Sequence, residues 1–148
     1  MKIWVGLLCL LAAACSPAAQ EMDRHYASLT SERILEVSHF VGFYNRVAPN
    51  LDIEGQRFLT TFIAGRIVSL PRRASMGPDI SPVAEGHLCR LIERFEEIPE
   101  PSSGGQEQNR VALLRTYEAI YPDIEGSPCL EAYRTLSSNG NAGPASEE

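Results

Sequence analysis

Apolar residues recur at three- and four-residue spacing through most of the chain, which predicts amphipathic helices and no strands. The first predicted helix starts with Thr30 or Ser31 as N-cap and runs to about Val47, where Ala48-Pro49 ends it. Its core stripe lies in one sector at 100° per residue and comprises Val37, Phe40, Val41, Tyr44 and Val47.

Four further helices follow the same spacing between breaks rich in Pro, Gly and Ser. The third has Ser81 as N-cap and Pro82 at its first helical position. In the second, Phe58 and Phe62 lie beside the apolar sector. Short helices with brief loops predict an all-α fold, a small antiparallel bundle of four to five helices. The predicted ranges of these four are about 53–70, 82–98, 106–121 and 128–136.

Two cysteines of the helical region, Cys89 and Cys129, predict one disulfide, because an oxidising compartment pairs them and no other cysteine lies in that region. Metal binding is the alternative, but two lone cysteines without partners at ligand spacing make a weak site. Closing a loop of this size stabilises a fold by roughly 4 kcal/mol in the chain-entropy model.

The first 14 residues have the pattern of a signal peptide. Lys2 supplies a positive charge, and Ile3 to Leu11 form an apolar run too short to span a bilayer. Small residues then lead to Cys15, and this run resembles the lipobox of bacterial lipoproteins, with Ala12 where Leu is common. The resemblance implies cleavage before Cys15 and lipidation of that cysteine.

Lipidation also removes the odd thiol that remains once Cys9 leaves with the signal peptide. Ser16 after Cys15 resembles the outer-membrane pattern of lipoproteins, so we expect a periplasmic protein anchored in the outer membrane. Ordinary signal-peptidase cleavage is the alternative and would give a soluble secreted or periplasmic protein. The expected organisation is a signal peptide over 1–14, the lipidated cysteine and a flexible tether over 15–27, a helical domain over 28–136, and a disordered acidic tail over 137–148.

The charge balance argues against nucleic acid as a partner. The formal net charge is -6, and Lys2 is the only lysine beside 12 arginines and 19 acidic residues. A net-acidic domain lacks the broad cationic surface that binds phosphates through counterion release.

Catalytic, metal and cofactor sites are not predicted. None of the three histidines, His25, His39 and His87, has a carboxylate or cysteine at a spacing that defines a site. Ser38 is adjacent to His39, but neighbouring helical residues point 100° apart, so they do not form a nucleophile and base pair.

One helix face carries a candidate partner surface. Leu35, His39 and Phe43 repeat at four-residue spacing on the side of the first helix opposite its core stripe. Either this helix is buried on both sides, or the three side chains bind a partner.

A candidate buried ion pair joins the second helix to the first. Arg66 falls inside the apolar sector of the second helix, and Glu36 lies beside the inward sector of the first. The alternatives are an arginine that extends to water over apolar surface near the helix C-terminus, and an anion site.

These features predict a non-enzymatic periplasmic lipoprotein that binds another envelope or periplasmic protein. Its plan is similar to that of pilotins, toxin-immunity proteins and small periplasmic chaperones, although no motif is shared and no residue role carries over. A structural envelope lipoprotein and a small hydrolase are the alternatives.

Overall fold

A computed structural model of the protein describes residues 17–70, 80–102 and 104–139. It confirms the predicted all-α fold with one disulfide. The helices of these ranges are α1 (Pro17–Val47), α2 (Ile53–Val68), α3 (Pro82–Glu93), α4 (Gln106–Ile120) and α5 (Leu130–Asn139). Short 3-10 helices cover Ala48–Asn50, Phe95–Glu97 and Ile124–Gly126.

Side-chain caps set the starts of α2 and α3. The Asp52 carboxylate accepts a hydrogen bond from the Gly55 N–H at 2.8 Å. Ser81 caps α3 by accepting from the Ala84 N–H at 3.1 Å, as the sequence predicts. Each cap satisfies a backbone donor that has no partner inside its helix.

The predicted start of the first helix at Thr30 or Ser31 is wrong, because α1 begins at Pro17. Both hydroxyls have other partners: Thr30 Oγ1 donates to the Tyr26 carbonyl at 2.8 Å, and Ser31 Oγ accepts from the Ser81 N–H at 3.1 Å. The segment expected to be a flexible tether is therefore helical from Pro17 onward. Proline suits the first turn, and the alanines that follow it favour helix.

Two other boundaries differ from the sequence prediction. The α-helical part of α3 ends at Glu93, and the chain continues to residue 97 as a 3-10 helix. In contrast, α5 extends to Asn139, three residues into the predicted tail. The predicted signal peptide, Cys15 and the remaining tail lie outside the described residues.

The core lies where the helices meet. α1 packs against α2 and α3, α4 packs against α2 and α3, and α5 packs against α3 and α4. Every helix contributes apolar side chains to one cluster, so the described chain forms a single core. Its most deeply buried members include Ile34, Val37, Ile63, Ile67, Leu88, Leu113, Tyr117 and Ile120.

The predicted disulfide between Cys89 and Cys129 is present, with the two Cα atoms 5.7 Å apart. It joins α3 to the residue that precedes α5. Tyr117 of α4 holds the same turn, since its hydroxyl donates to the Pro128 carbonyl and lies 2.6 Å from Ser127 Oγ. None of the helices in the described ranges is long and apolar enough to cross a membrane.

Candidate functional site

Four of the five phenylalanines of the protein lie on α1 and α2. Phe40 contacts Phe62 edge-on, with ring centroids 4.9 Å apart. Phe58 stacks on Phe62, with ring centroids 6.3 Å apart. The fourth, Phe43, lies one turn after Phe40 on α1. Phe40, Phe62 and Phe58 therefore form an aromatic cluster that continues from the contact between the two helices toward solvent.

The register of the two helices places this cluster near their connecting loop. Glu36 of α1 pairs with Arg66 of α2. One turn later on α1, Phe40 contacts Phe62, which lies one turn earlier on α2, so the two helices run in opposite directions. The next step brings Phe58 level with the turn of α1 that contains Phe43. α1 and α2 thus form an antiparallel hairpin, with the aromatic side chains toward its closed end.

A glutamine fixes the loop at that end. Gln56 Nε2 donates to the carbonyl oxygens of Ala48 at 3.0 Å and of Leu51 at 3.1 Å. These bonds satisfy loop carbonyls and hold the start of α2 against the end of α1.

The side chains at this end are exposed although they are apolar. Phe43 is 45% exposed, Phe58 69% and Ile53, the first residue of α2, 76%. Phe62 is half-buried beneath them. An open groove of about 510 Å³ follows α2 here, bounded by Glu54, Arg57, Phe58, Thr61 and Phe62. We call Phe43, Phe58 and Phe62 the hairpin face. Ile53 is at the same end of the hairpin but lies about 140° around α2 from Phe58, so it is not part of this face.

The predicted partner surface does not form one continuous surface, because Leu35, His39 and Phe43 lie in different surroundings. Leu35 is half-buried and packs against the core, so it is not part of an open surface. His39 is exposed and lies beside His87 of α3. Only Phe43 joins the hairpin face, because it lies about 20° around α1 from Glu36, which contacts α2.

The predicted ion pair is present, with Arg66 Nη2 3.5 Å from Glu36 Oε1. The two side chains are 44% and 36% exposed, so the prediction that the pair is buried is wrong. The guanidinium carbon of Arg66 also lies 5.0 Å from the centroid of the Phe62 ring. This geometry gives a cation–π contact at the border of the hairpin face.

A second cluster joins α1 to α3. Ser38 Oγ lies 2.7 Å from His87 Nδ1, and the rings of His39 and His87 have centroids 5.9 Å apart. Partial burial, helped by the positive charges of Arg90 and His39, lowers the pKa of His87. Sequence reasoning missed the cluster, because 48 residues separate the two histidines and no local motif can show a contact between helices.

The Ser38 to His87 bond does not assemble a hydrolytic site. Among the described residues, no carboxylate is hydrogen-bonded to His87 to orient it. Ser38 lies inside α1, where the neighbouring backbone N–H groups are used by the helix and cannot stabilise an oxyanion. The described part of the chain also contains no group of three or more His, Cys, Asp or Glu placed to hold a metal ion.

No known protein family matches the chain, and neither a characterised protein nor a solved structure is significantly similar to it.

Proposed function

We propose that this protein is an exported, lipid-anchored module that binds another envelope protein through the hairpin face. The observation that carries the proposal is the exposure of Phe43 and Phe58 at the same end of the α1–α2 hairpin. The occupant that fits this face is an apolar segment of a protein partner, such as one side of an amphipathic helix laid along the groove of α2.

The concentration of apolar surface at one place supports this proposal. A single exposed hydrophobic side chain is normal on a soluble protein. Of the five large hydrophobic side chains exposed in the described ranges, however, the two phenylalanines, Phe43 and Phe58, both lie on the hairpin face. Burying each phenylalanine fully contributes about 1.5 to 3 kcal/mol, and aromatic anchors carry much of the energy of protein interfaces.

The direction of α1 favours a protein partner over the membrane. Between Pro17 and Phe43, α1 rises by about 39 Å at 1.5 Å per residue. The anchor that we propose, a lipid on Cys15, precedes the start of this helix. The hairpin face is therefore at the opposite end of α1 from the anchor, where it can meet a protein in the periplasm.

The anchor is tested by the intact mass of protein extracted from membranes. We expect a chain that starts at Cys15 and carries acyl groups. A chain that starts at Cys15 without acyl groups, or that starts further downstream, would contradict the lipid anchor but leave the hairpin face open as a binding surface.

The binding face is tested by Phe58→Asp, with Val83→Asp as a matched control. Phe58 is 69% exposed on α2, and Val83 is 62% exposed near the start of α3. The N-cap of α3, Ser81, bonds to Ser31 of α1, about three turns before Phe43, so Val83 is far from the hairpin face. We expect the free energy of unfolding of both variants to lie within about 1 kcal/mol of that of the parent protein, because neither side chain is buried.

The readout is the apparent size of the protein in a mild detergent extract. Phe58→Asp should run as free protein, whereas Val83→Asp should run as the same larger complex as the parent. If the parent already runs as free protein, or if both variants keep the complex, the proposal is wrong.

A further inference from the structure

Two histidines meet where α1 packs against α3, outside the hairpin face. His39 is exposed on α1, and His87 is half-buried on α3. Their ring centroids are 5.9 Å apart, and the ring planes are inclined at 75°. His39 is exposed, so its side chain can rotate and direct a ring nitrogen toward the ring of His87.

Ser38 fixes the orientation of the His87 ring. Its Oγ lies 2.7 Å from His87 Nδ1. When Nδ1 carries the proton and donates to this hydroxyl, Nε2 keeps an unshared electron pair. Histidines that bind metals have this arrangement, in which a hydrogen bond to one ring nitrogen orients the other for the ion.

The distance between the rings suits a shared ion. An imidazole nitrogen binds a transition metal at about 2.0 to 2.1 Å, which places the ring centroid roughly 3 Å from the ion. Two imidazoles on one ion then have centroids roughly 5 to 6 Å apart. We propose that His39 and His87 together bind one divalent transition-metal ion, with water in its remaining coordination positions.

The surroundings decide which ion binds most tightly. Imidazole ligands favour Cu²⁺, Ni²⁺ and Zn²⁺ over Mg²⁺ and Ca²⁺. Arg90 lies one turn after His87, and its positive charge acts on that ring and opposes a cation. Among divalent ions, Cu²⁺ forms the strongest bonds to nitrogen ligands, so it is the ion that best overcomes this opposition.

The test is titration of the purified protein with Cu²⁺ alone, followed by electron paramagnetic resonance. His39→Asn and His87→Asn remove the two ligands, and His25→Asn is the matched control, because His25 is also exposed on α1. We expect one Cu²⁺ per chain with coupling to two imidazole nitrogens in the parent protein and in His25→Asn. In each ligand variant the affinity should fall by about tenfold or more.

Equal affinity in all three variants, or a loss confined to His25→Asn, would overturn the proposal. So would the absence of stoichiometric binding in the parent protein. Thermal unfolding without metal checks that each variant is folded. If His87→Asn is not folded, the Cu²⁺ affinity of His39→Asn decides the outcome, because His39 is exposed. Ser38→Ala is a further check: the affinity should fall while both nitrogens remain bound, and an unchanged affinity would refute the positioning role of Ser38.

Discussion

Leu35 and Phe43 lie two turns apart on α1, and the same substitution should affect them differently. Leu35 is half-buried against the core, whereas Phe43 is exposed. Leu35→Asp places a charge among apolar side chains, so we expect it to lower the free energy of unfolding by about 2 to 4 kcal/mol. Phe43→Asp should change it by less than about 1 kcal/mol. Denaturant unfolding measures both, and equal losses would mean that Phe43 is covered in the folded protein.

The ion pair of Arg66 and Glu36 should contribute little to stability. Both side chains are substantially exposed, so water screens their attraction. In a double-mutant cycle with Arg66→Ala and Glu36→Ala, we expect a coupling energy below about 1 kcal/mol. The sequence alone suggests a buried pair, for which removal of one partner would cost more. A coupling energy above about 2 kcal/mol would show that the pair is shielded from water.

Tyr133 should make the protein less stable at alkaline pH. Burial, together with the hydrogen bond that its hydroxyl donates to Glu118 at 2.7 Å and the charge of that carboxylate, raises the pKa of Tyr133 to about 12. In the unfolded chain the hydroxyl ionises near pH 10. The unfolded state therefore loses the proton first, and the free energy of unfolding falls as the pH rises from about 10 to about 12.

The measurement is the free energy of unfolding against pH, with Tyr133→Phe beside the parent protein. The fall should be smaller in Tyr133→Phe. If the free energy of unfolding falls equally with pH in both proteins, Tyr133 has the same pKa in the folded and unfolded states, and the prediction is wrong.

At the scale of elements, helices could be predicted where their signals are local. The structure confirms the predicted N-cap at Ser81 and the predicted end of α1 before Pro49, because a cap and a proline act on adjacent residues. The predicted start of α1 is wrong, because Thr30 and Ser31 are residue types that commonly cap helices but do not cap this one. Their hydroxyls bond to the preceding turn and to Ser81, fifty residues away, and only the packed structure reveals the second partner.

The disulfide should hold α5 on the bundle. It closes a loop with a sequence separation of 40 residues, for which the chain-entropy model gives about 4 kcal/mol. We expect the double variant Cys89→Ala, Cys129→Ala to lose about 2 to 4 kcal/mol in the free energy of unfolding. Hydrogen exchange should increase most in α5, because that short helix packs mainly against α3, α4 and the adjoining turn. Uniform exchange across all helices would contradict this role.

At the scale of the whole molecule, the all-α class and the disulfide followed from periodicity and cysteine number, but the candidate sites did not. The hairpin face joins Phe43 to Phe58 through the antiparallel packing of two helices, and the sequence placed Phe58 beside a core stripe. The histidine pair depends on the contact between α1 and α3 in the same way. Periodicity gives the face of each helix, whereas the register between helices depends on packing.

The most direct test of the hairpin face is site-specific photocrosslinking in cells that produce the protein. Benzoylphenylalanine replaces Phe58, Phe43 or, as the control, Val83. The first two positions should give the same crosslinked protein, and the control position should not, because only the hairpin face binds the partner. No protein adduct at Phe58, or the same adduct at Val83, would contradict the account.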